Sequence, residues 1–117
     1  MDLLLGSIGA YLLGSIPFAY LLVRVCVGVD VRTIGSGNSG ATNASRAFRP
    51  PWQIPMFLFI YLLDFTKGYL PTWLAWRYFA GDHGSAVLIG AATVLGHCTS
   101  PFLKFKGGKG VATTTGV

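Results

Sequence analysis

The sequence contains no glutamate, and charged residues of all kinds make up only 11% of its 117 residues. An average soluble domain is about 25% charged. Hydrophobic residues account for 52% of the chain, and the mean hydropathy is +0.57. This composition argues against an ordinary soluble domain and is typical of an integral membrane protein.

Cysteine is also scarce. Cys26 and Cys98 lie far apart and in no metal-ligand spacing. The glycine-rich stretches at residues 33–46 and 104–110 lack carboxylates as well, so we predict no metal site and no cofactor. The net charge is +5, which is compatible with nucleic-acid binding. The basic residues are spread between apolar segments, however, so membrane orientation explains them better, and we predict no nucleic-acid partner.

Three long apolar segments predict membrane-spanning helices at about residues 3–23, 52–78 and 85–105. The last residues of the chain predict the start of a fourth helix. The sequence shows no internal repeat. We therefore predict an all-α polytopic membrane protein in which residues 1–117 form a single domain in the lipid bilayer.

The first apolar segment carries small residues at regular intervals. Gly6, Ala10 and Gly14 recur every four residues, so they form a smooth stripe on one helix face, suited to close helix packing. Pro17 lies inside the same segment and predicts a kink.

Most basic residues fall in two loops, at about residues 24–50 and 104–110. Two predicted spans separate these loops, so both lie on the same side of the membrane. The positive-inside rule places that side in the cytosol and the N-terminus outside.

The second apolar segment contains two charges, Asp64 and Lys67. Their spacing puts them on one helix face, where they can pair. Charges at membrane depth normally face a protein interior or water. The pair therefore either locks helices together or forms the wall of a site.

The first glycine loop, "TIGSGNSGATNASR" at residues 33–46, matches the dinucleotide pattern G-x-G-x-x-G at Gly35, Gly37 and Gly40. That fingerprint requires a preceding strand, a following helix and an acidic residue about 20 positions on. "VDVRTI" is a candidate strand, but the flanks are membrane segments and the next acid is Asp64. The pattern therefore favours phosphate over a nucleotide.

The second glycine loop, "KFKGGKG" at residues 104–110, is predicted to lie on the same membrane face. Glycines let backbone N–H groups approach an anion. Arg46 can bind phosphate in a fork, and Lys109 as a point charge. "ATNASRAF" predicts a helix whose positive end faces the first glycine loop. His97 is either a structural hydrogen-bonding residue or part of this phosphate site.

Four blocks in this order resemble the bacterial membrane-integral glycerol-3-phosphate acyltransferases that use acyl phosphate as donor. The blocks are "GSIPFAYLL" (14–22), "GSGNSGATNASRAF" (35–48), "LDFTKGYLP" (63–71) and "LGHCTSPFLKFKGGKGVATTTG" (95–116). The resemblance implies a multi-pass enzyme of the bacterial inner membrane. Its substrates are acyl phosphate and glycerol 3-phosphate, and its products are lysophosphatidic acid and phosphate. The oligomeric state does not follow from the resemblance.

The resemblance and the two loops together imply the site residues. The catalytic set is Ser36, Arg46, His97 and Lys109. The substrate-binding set is Gly35, Gly37, Asn38, Gly40, Thr42, Asn43, Lys106, Gly107, Gly108 and Gly110. The general base is either His97 or a substrate phosphate oxygen, and we favour the phosphate.

The resemblance also implies later helices and a further cytosolic motif, so we expect this chain to match the N-terminal portion of the family, either as a fragment or as a naturally short relative. Two alternatives remain open. A phosphate or organophosphate transporter would also carry cations and glycines at helix ends, though usually near the midplane of repeated halves. A non-catalytic membrane protein is the other alternative.

Overall fold

The structure, a computed structural model, describes residues 2–117 and contains only helices and turns in that range. The helices are α1 (Leu3–Gly14), α2 (Phe18–Cys26), α3 (Ala41–Ser45), α4 (Pro50–Tyr78), α5 (His83–Cys98) and α6 (Val111–Gly116). The all-α prediction is confirmed, and so are the helices expected after residue 40 and at the end of the chain.

Two apolar stretches, Leu3–Cys26 and His83–Leu103, are long enough to cross a membrane by length and composition. Helix α4 is longer still, with 29 residues, or about 43 Å at the usual rise per residue. Each of the three predicted segments is therefore mostly helical. The crossings themselves and the orientation stay predictions.

Pro17 interrupts the first apolar segment completely, so the predicted kink is wrong. Helix α1 ends at Gly14 and α2 begins at Phe18, with Pro17 at φ −90° and ψ 79° between them. Proline has no N–H to continue the helix, and it disfavours helical geometry at the preceding residue. We call residues 15–17 the helix break.

Side chains from distant parts of the chain satisfy the carbonyl groups of the helix break. Ser100 Oγ donates to the Ser15 carbonyl at 2.5 Å. Lys67 Nζ donates to the Ile16 carbonyl at 3.0 Å. A backbone interruption inside an apolar segment requires such partners, because an unsatisfied polar group there is costly.

The other helix bounds also differ from the predicted ones. Helix α4 begins at Pro50, because proline is well suited to the first turn, where its missing N–H is not needed. Helix α5 ends at Cys98 instead of reaching residue 105, because Ser100 precedes Pro101 and is extended at ψ 119°. Lys104 and Phe105 then take positive φ values, which reverse the chain direction.

The candidate strand "VDVRTI" forms a 3₁₀ turn, Val31–Thr33, and that prediction is wrong. The Asp30 carboxylate caps this turn by accepting a hydrogen bond from Arg32 N at 2.9 Å. The strand that a dinucleotide fingerprint requires is therefore missing from this segment.

Helices α1 and α5 pack closely through small residues. Gly6, Ala10 and Gly14 are all buried, which confirms the predicted packing stripe. A Cβ atom added to Gly14 would overlap the Thr93 carbonyl group of α5. Helix α6 packs similarly against α4, where a Cβ atom on Gly68 would overlap the α6 backbone. These close contacts bring α5, α6 and the second glycine loop beside α4.

Candidate active site

The two glycine loops meet at one cavity of about 430 Å³. The predicted site residues that line it are Ser36, Asn38, Gly40, Thr42, Asn43, Arg46, His97, Lys109 and Gly110. The two loops are therefore neighbours in the fold, and their placement on one face of the membrane stays a prediction.

The remaining predicted site residues lie outside this lining; they are Gly35, Gly37, Lys106, Gly107 and Gly108. Two of the glycines among them lie where the chain passes too close to other atoms for a side chain. Gly35 has a φ of +47°, and a Cβ atom there would overlap the Asn43 side chain. A Cβ atom on Gly107 would overlap the backbone carbonyl of His97. Only glycine fits at these two places.

Asn43 organises the first glycine loop. Its Nδ2 donates to the carbonyl groups of Val31, Ile34 and Asn38 at 3.1, 3.1 and 2.9 Å. Its Oδ1 accepts a hydrogen bond from Ser36 N at 3.1 Å. The residue is only 2% exposed. These contacts use the whole amide, so Asn43 shapes the loop that presents Ser36 to the cavity.

The cavity carries an excess of positive charge. Across residues 2–117, neither Arg46 nor Lys109 forms an ion pair. The one carboxylate on the lining, Asp64, is paired with Lys67. Two cations without acidic partners, surrounded by glycine backbone, make a favourable environment for a phosphate group.

The Asp64–Lys67 pair is buried, with an Oδ1–Nζ distance of 3.0 Å and side chains that are 3% and 2% exposed. The predicted pairing is confirmed. Both interpretations of the pair have structural support, because Lys67 holds the helix break while Asp64 lines the cavity. His97 Nδ1 lies 3.9 Å from the same carboxylate oxygen.

Sequence reasoning missed Phe57 and Tyr61 as lining residues on α4, whereas it had considered Asp64 as part of a site wall. Their spacing of four and three residues places them on one helix face, so the signal was available. The signal was weak, because a long apolar helix has large apolar residues three or four positions apart on all of its faces. Within the described part of the chain, no three His, Cys, Asp or Glu side chains come close enough to hold a metal ion.

Comparison with known proteins agrees with this arrangement. The sequence model of a family described as glycerol-3-phosphate acyltransferase matches residues 4–117. A glycerol-3-phosphate acyltransferase of Erythrobacter litoralis is 46% identical over 100% of the chain and 56% of its own length. One of Thermotoga petrophila is 49% identical over 92% of the chain and 52% of its own length.

Two crystal structures of PlsY (YgiH), described as an integral membrane glycerol 3-phosphate acyltransferase, superpose with a TM-score of 0.85 each. They represent the glycerol 3-phosphate form and the lysophosphatidic acid form. Their identities to the chain are 44% and 43%, over 97% and 98% of the chain and 55% and 54% of theirs.

The chain spans about half the length of the curated relatives it matches. Within that half, the family match covers nearly every residue, and the fold is that of an integral membrane protein. This chain belongs to the glycerol-3-phosphate acyltransferase family.

Proposed function

We propose that this protein transfers a fatty acyl group from acyl phosphate to the 1-hydroxyl of glycerol 3-phosphate. The products are lysophosphatidic acid, a phospholipid precursor, and inorganic phosphate. One observation carries the proposal: Arg46 and Lys109, on two separate glycine loops, face one cavity without acidic partners. Both substrates bring a phosphate group, and each loop offers one of them a cation.

The two loops divide the substrates between them. Ser36 and Arg46 of the first glycine loop bind the phosphate of the acyl donor, and Lys109 of the second binds that of glycerol 3-phosphate. Phe57 and Val111 supply apolar wall beside these cations, where the start of an acyl chain fits. Substrates held this way place the hydroxyl next to the acyl carbonyl, which provides much of the rate enhancement.

In the reaction, the hydroxyl oxygen attacks the carbonyl carbon and the bond from that carbon to the phosphate oxygen breaks. Negative charge grows on the carbonyl oxygen and on the leaving phosphate, where Arg46 and the loop N–H groups stabilise it. The hydroxyl proton passes to a phosphate oxygen of the acyl donor, so the leaving group departs as hydrogen phosphate. His97 orients neighbouring groups in this scheme.

We further propose three membrane crossings, with the N-terminus outside and both glycine loops in the cytosol of a bacterial inner membrane. The basic residues of the two loops support this orientation. Thiol labelling tests it. In a Cys98→Ser variant, we expect a membrane-impermeant maleimide to label Cys26 in inverted vesicles and not in intact cells. Labelling of Cys26 in intact cells would show that the first glycine loop lies outside, which contradicts the proposed orientation.

The test of function is acyl transfer from palmitoyl phosphate to labelled glycerol 3-phosphate in membranes. This chain is assayed beside a version extended to the length of its relatives, and each beside its own variant carrying both Arg46→Ala and Lys109→Ala. We expect lysophosphatidic acid from the extended version and none from its variant. Product from the chain alone would show that the two glycine loops suffice. No product from either version would refute the proposal.

The transporter alternative is not favoured, because the relatives and solved structures described above are acyltransferases. The cavity also lies where two loops meet, whereas transporter sites are usually near the midplane between repeated halves.

A further inference from the structure

A series of contacts leads from the buried ion pair to the second glycine loop. Asp64 faces His97 on α5, and the ring of His97 lies against Gly108, next to Lys109. We propose that Asp64 is a positioning residue: it fixes the protonated ring nitrogen of His97 and, through that ring, the place of the second glycine loop. The kinetic consequence rests on the proposed function, and the structural consequence does not.

Asp64 is held in place by elements on either side of it. Lys67, one turn further along α4, pairs with its carboxylate and also donates to the Ile16 carbonyl in the helix break. A buried ion pair is weak evidence for stability, because the cost of desolvation offsets much of the attraction. The contacts that the pair makes with its surroundings are therefore better evidence of its role than its energy. They anchor the carboxylate between α4 and the helix break, so its direction is set.

One oxygen of the Asp64 carboxylate is available to accept a hydrogen bond. Asp64 Oδ1 is buried and accepts no well-directed hydrogen bond from residues 2–117, although Lys67 lies at ion-pair distance. His97 Nδ1 is 3.9 Å away. That separation exceeds a direct hydrogen bond and fits either a small ring shift or one bridging water. A cavity of about 10 Å³, whose lining includes Asp64, His97, Ser39 and Ser100, is about the size of one water.

The opposite edge of the His97 ring faces the second glycine loop. A Cβ atom added to Gly108 would lie 2.6 Å from His97 Nε2. Gly107 N donates to the Cys98 carbonyl at 3.0 Å, so the loop is docked on the end of α5. The hydrogen bond at one ring nitrogen decides the protonation of the other. A carboxylate facing Nδ1 keeps the proton there, and Nε2 then offers a lone pair to N–H groups of the loop.

Nitrogen-15 NMR of protein labelled with ¹⁵N-histidine tests the structural consequence directly. A His83→Gln background removes the only other histidine. At neutral pH we expect the His97 ring of the wild type to carry its proton on Nδ1. In Asp64→Asn we expect this preference for Nδ1 to be lost. Asp82→Asn makes the same chemical change at the exposed start of α5 and should leave the signal unchanged. A wild-type proton on Nε2, or an unchanged signal in Asp64→Asn, would overturn the proposal.

A second variant protects the test against misfolding. Asp64→Asn leaves the Lys67 charge buried without its partner, which is strongly destabilising. The double variant Asp64→Asn with Lys67→Met removes both charges, and we expect it to lose the Nδ1 preference as well. Retention of the proton on Nδ1 in this variant would also overturn the proposal.

Kinetics test the link to the loop. With the second glycine loop displaced, we expect the kcat/KM of Asp64→Asn to fall roughly tenfold to a hundredfold, mainly through KM for glycerol 3-phosphate. Asp82→Asn should match wild type. If a variant loses the proton preference of His97 but keeps its KM for glycerol 3-phosphate, then His97 does not position the second glycine loop. The expected NMR signal without acyl transfer, in the wild-type chain and in its extended version alike, would refute the proposed function and leave the positioning of His97 standing.

Discussion

The crossing of α1 and α5 leaves no room for a methyl group at Gly96. A Cβ atom there would overlap the Tyr11 carbonyl oxygen and lie 3.0 Å from both Ser15 N and Ser15 Oγ. Most of these obstacles are backbone atoms, so no change of rotamer relieves the overlap and the helices must move apart. We predict that Gly96→Ala destabilises the protein by disturbing this crossing.

Gly9 provides a matched comparison for the magnitude. An alanine within a helix gains up to about 1 kcal/mol over glycine, and forced overpacking costs about 1–3 kcal/mol. A Cβ atom on Gly9, in α1, meets nothing within 4 Å. Gly9→Ala therefore gains the helix propensity of alanine without any steric overlap. The difference between the two variants isolates the overlap, and we expect Gly96→Ala to be less stable by about 1–3 kcal/mol.

Thermal unfolding in one detergent, followed by tryptophan fluorescence, measures the difference. For a chain of this size each kcal/mol corresponds to roughly 3–6 °C in Tm. We expect Gly96→Ala to unfold several degrees below Gly9→Ala, and to lose acyl transfer because Gly96 precedes His97. Equal Tm values for the two variants would show that the crossing is looser than these distances require.

Three further predictions concern the loops. Lys109→Met should raise KM for glycerol 3-phosphate at least tenfold and change kcat less; an unchanged KM would remove Lys109 from phosphate binding. Asn43→Asp replaces the donors to three carbonyl groups with a charge, so limited proteolysis should cut the first glycine loop faster; equal cleavage rates would contradict its organising role. Arg32, through its side-chain hydrogen bond, lowers the pKa of Asp30 below its ordinary 3.8. This stabilisation is complete above that value and is lost as the pH falls through the lowered pKa, so wild type should lose more stability than Arg32→Ala below pH 3.8. Parallel pH profiles of Tm would refute this last prediction.

Much of the fold was predictable because it depends on local patterns. The three apolar segments indicated helices, and the spacing of Gly6, Ala10 and Gly14 indicated a smooth packing face on the first of them; both features are present. The exact course of the first segment was not predictable. Pro17 can kink or interrupt a helix, and the outcome depends on whether distant groups satisfy the freed carbonyls. Here Lys67 and Ser100 do so.

The candidate site, like the fold, was predictable from the sequence only in part. Arg46 and Lys109 were identified from their glycine-rich surroundings, and the structure brings both to one cavity. The role of Asn43 as the organiser of the first glycine loop has no signature in the sequence. Its amide could equally bind a substrate, and only the positions of three backbone carbonyl groups show that it is already used.

The sequence by itself determined the helical class, the apolar segments, the glycine-rich and basic character of the two loops and the pairing of Asp64 with Lys67. All of these follow from composition or from spacings within a few residues. Only the tertiary structure decided that His97 lies between Asp64 and Gly108, and that Lys67 supports the helix break 51 residues away. Contacts over such separations depend on how whole helices pack, and helix packing here is set by where glycine lets one backbone approach another.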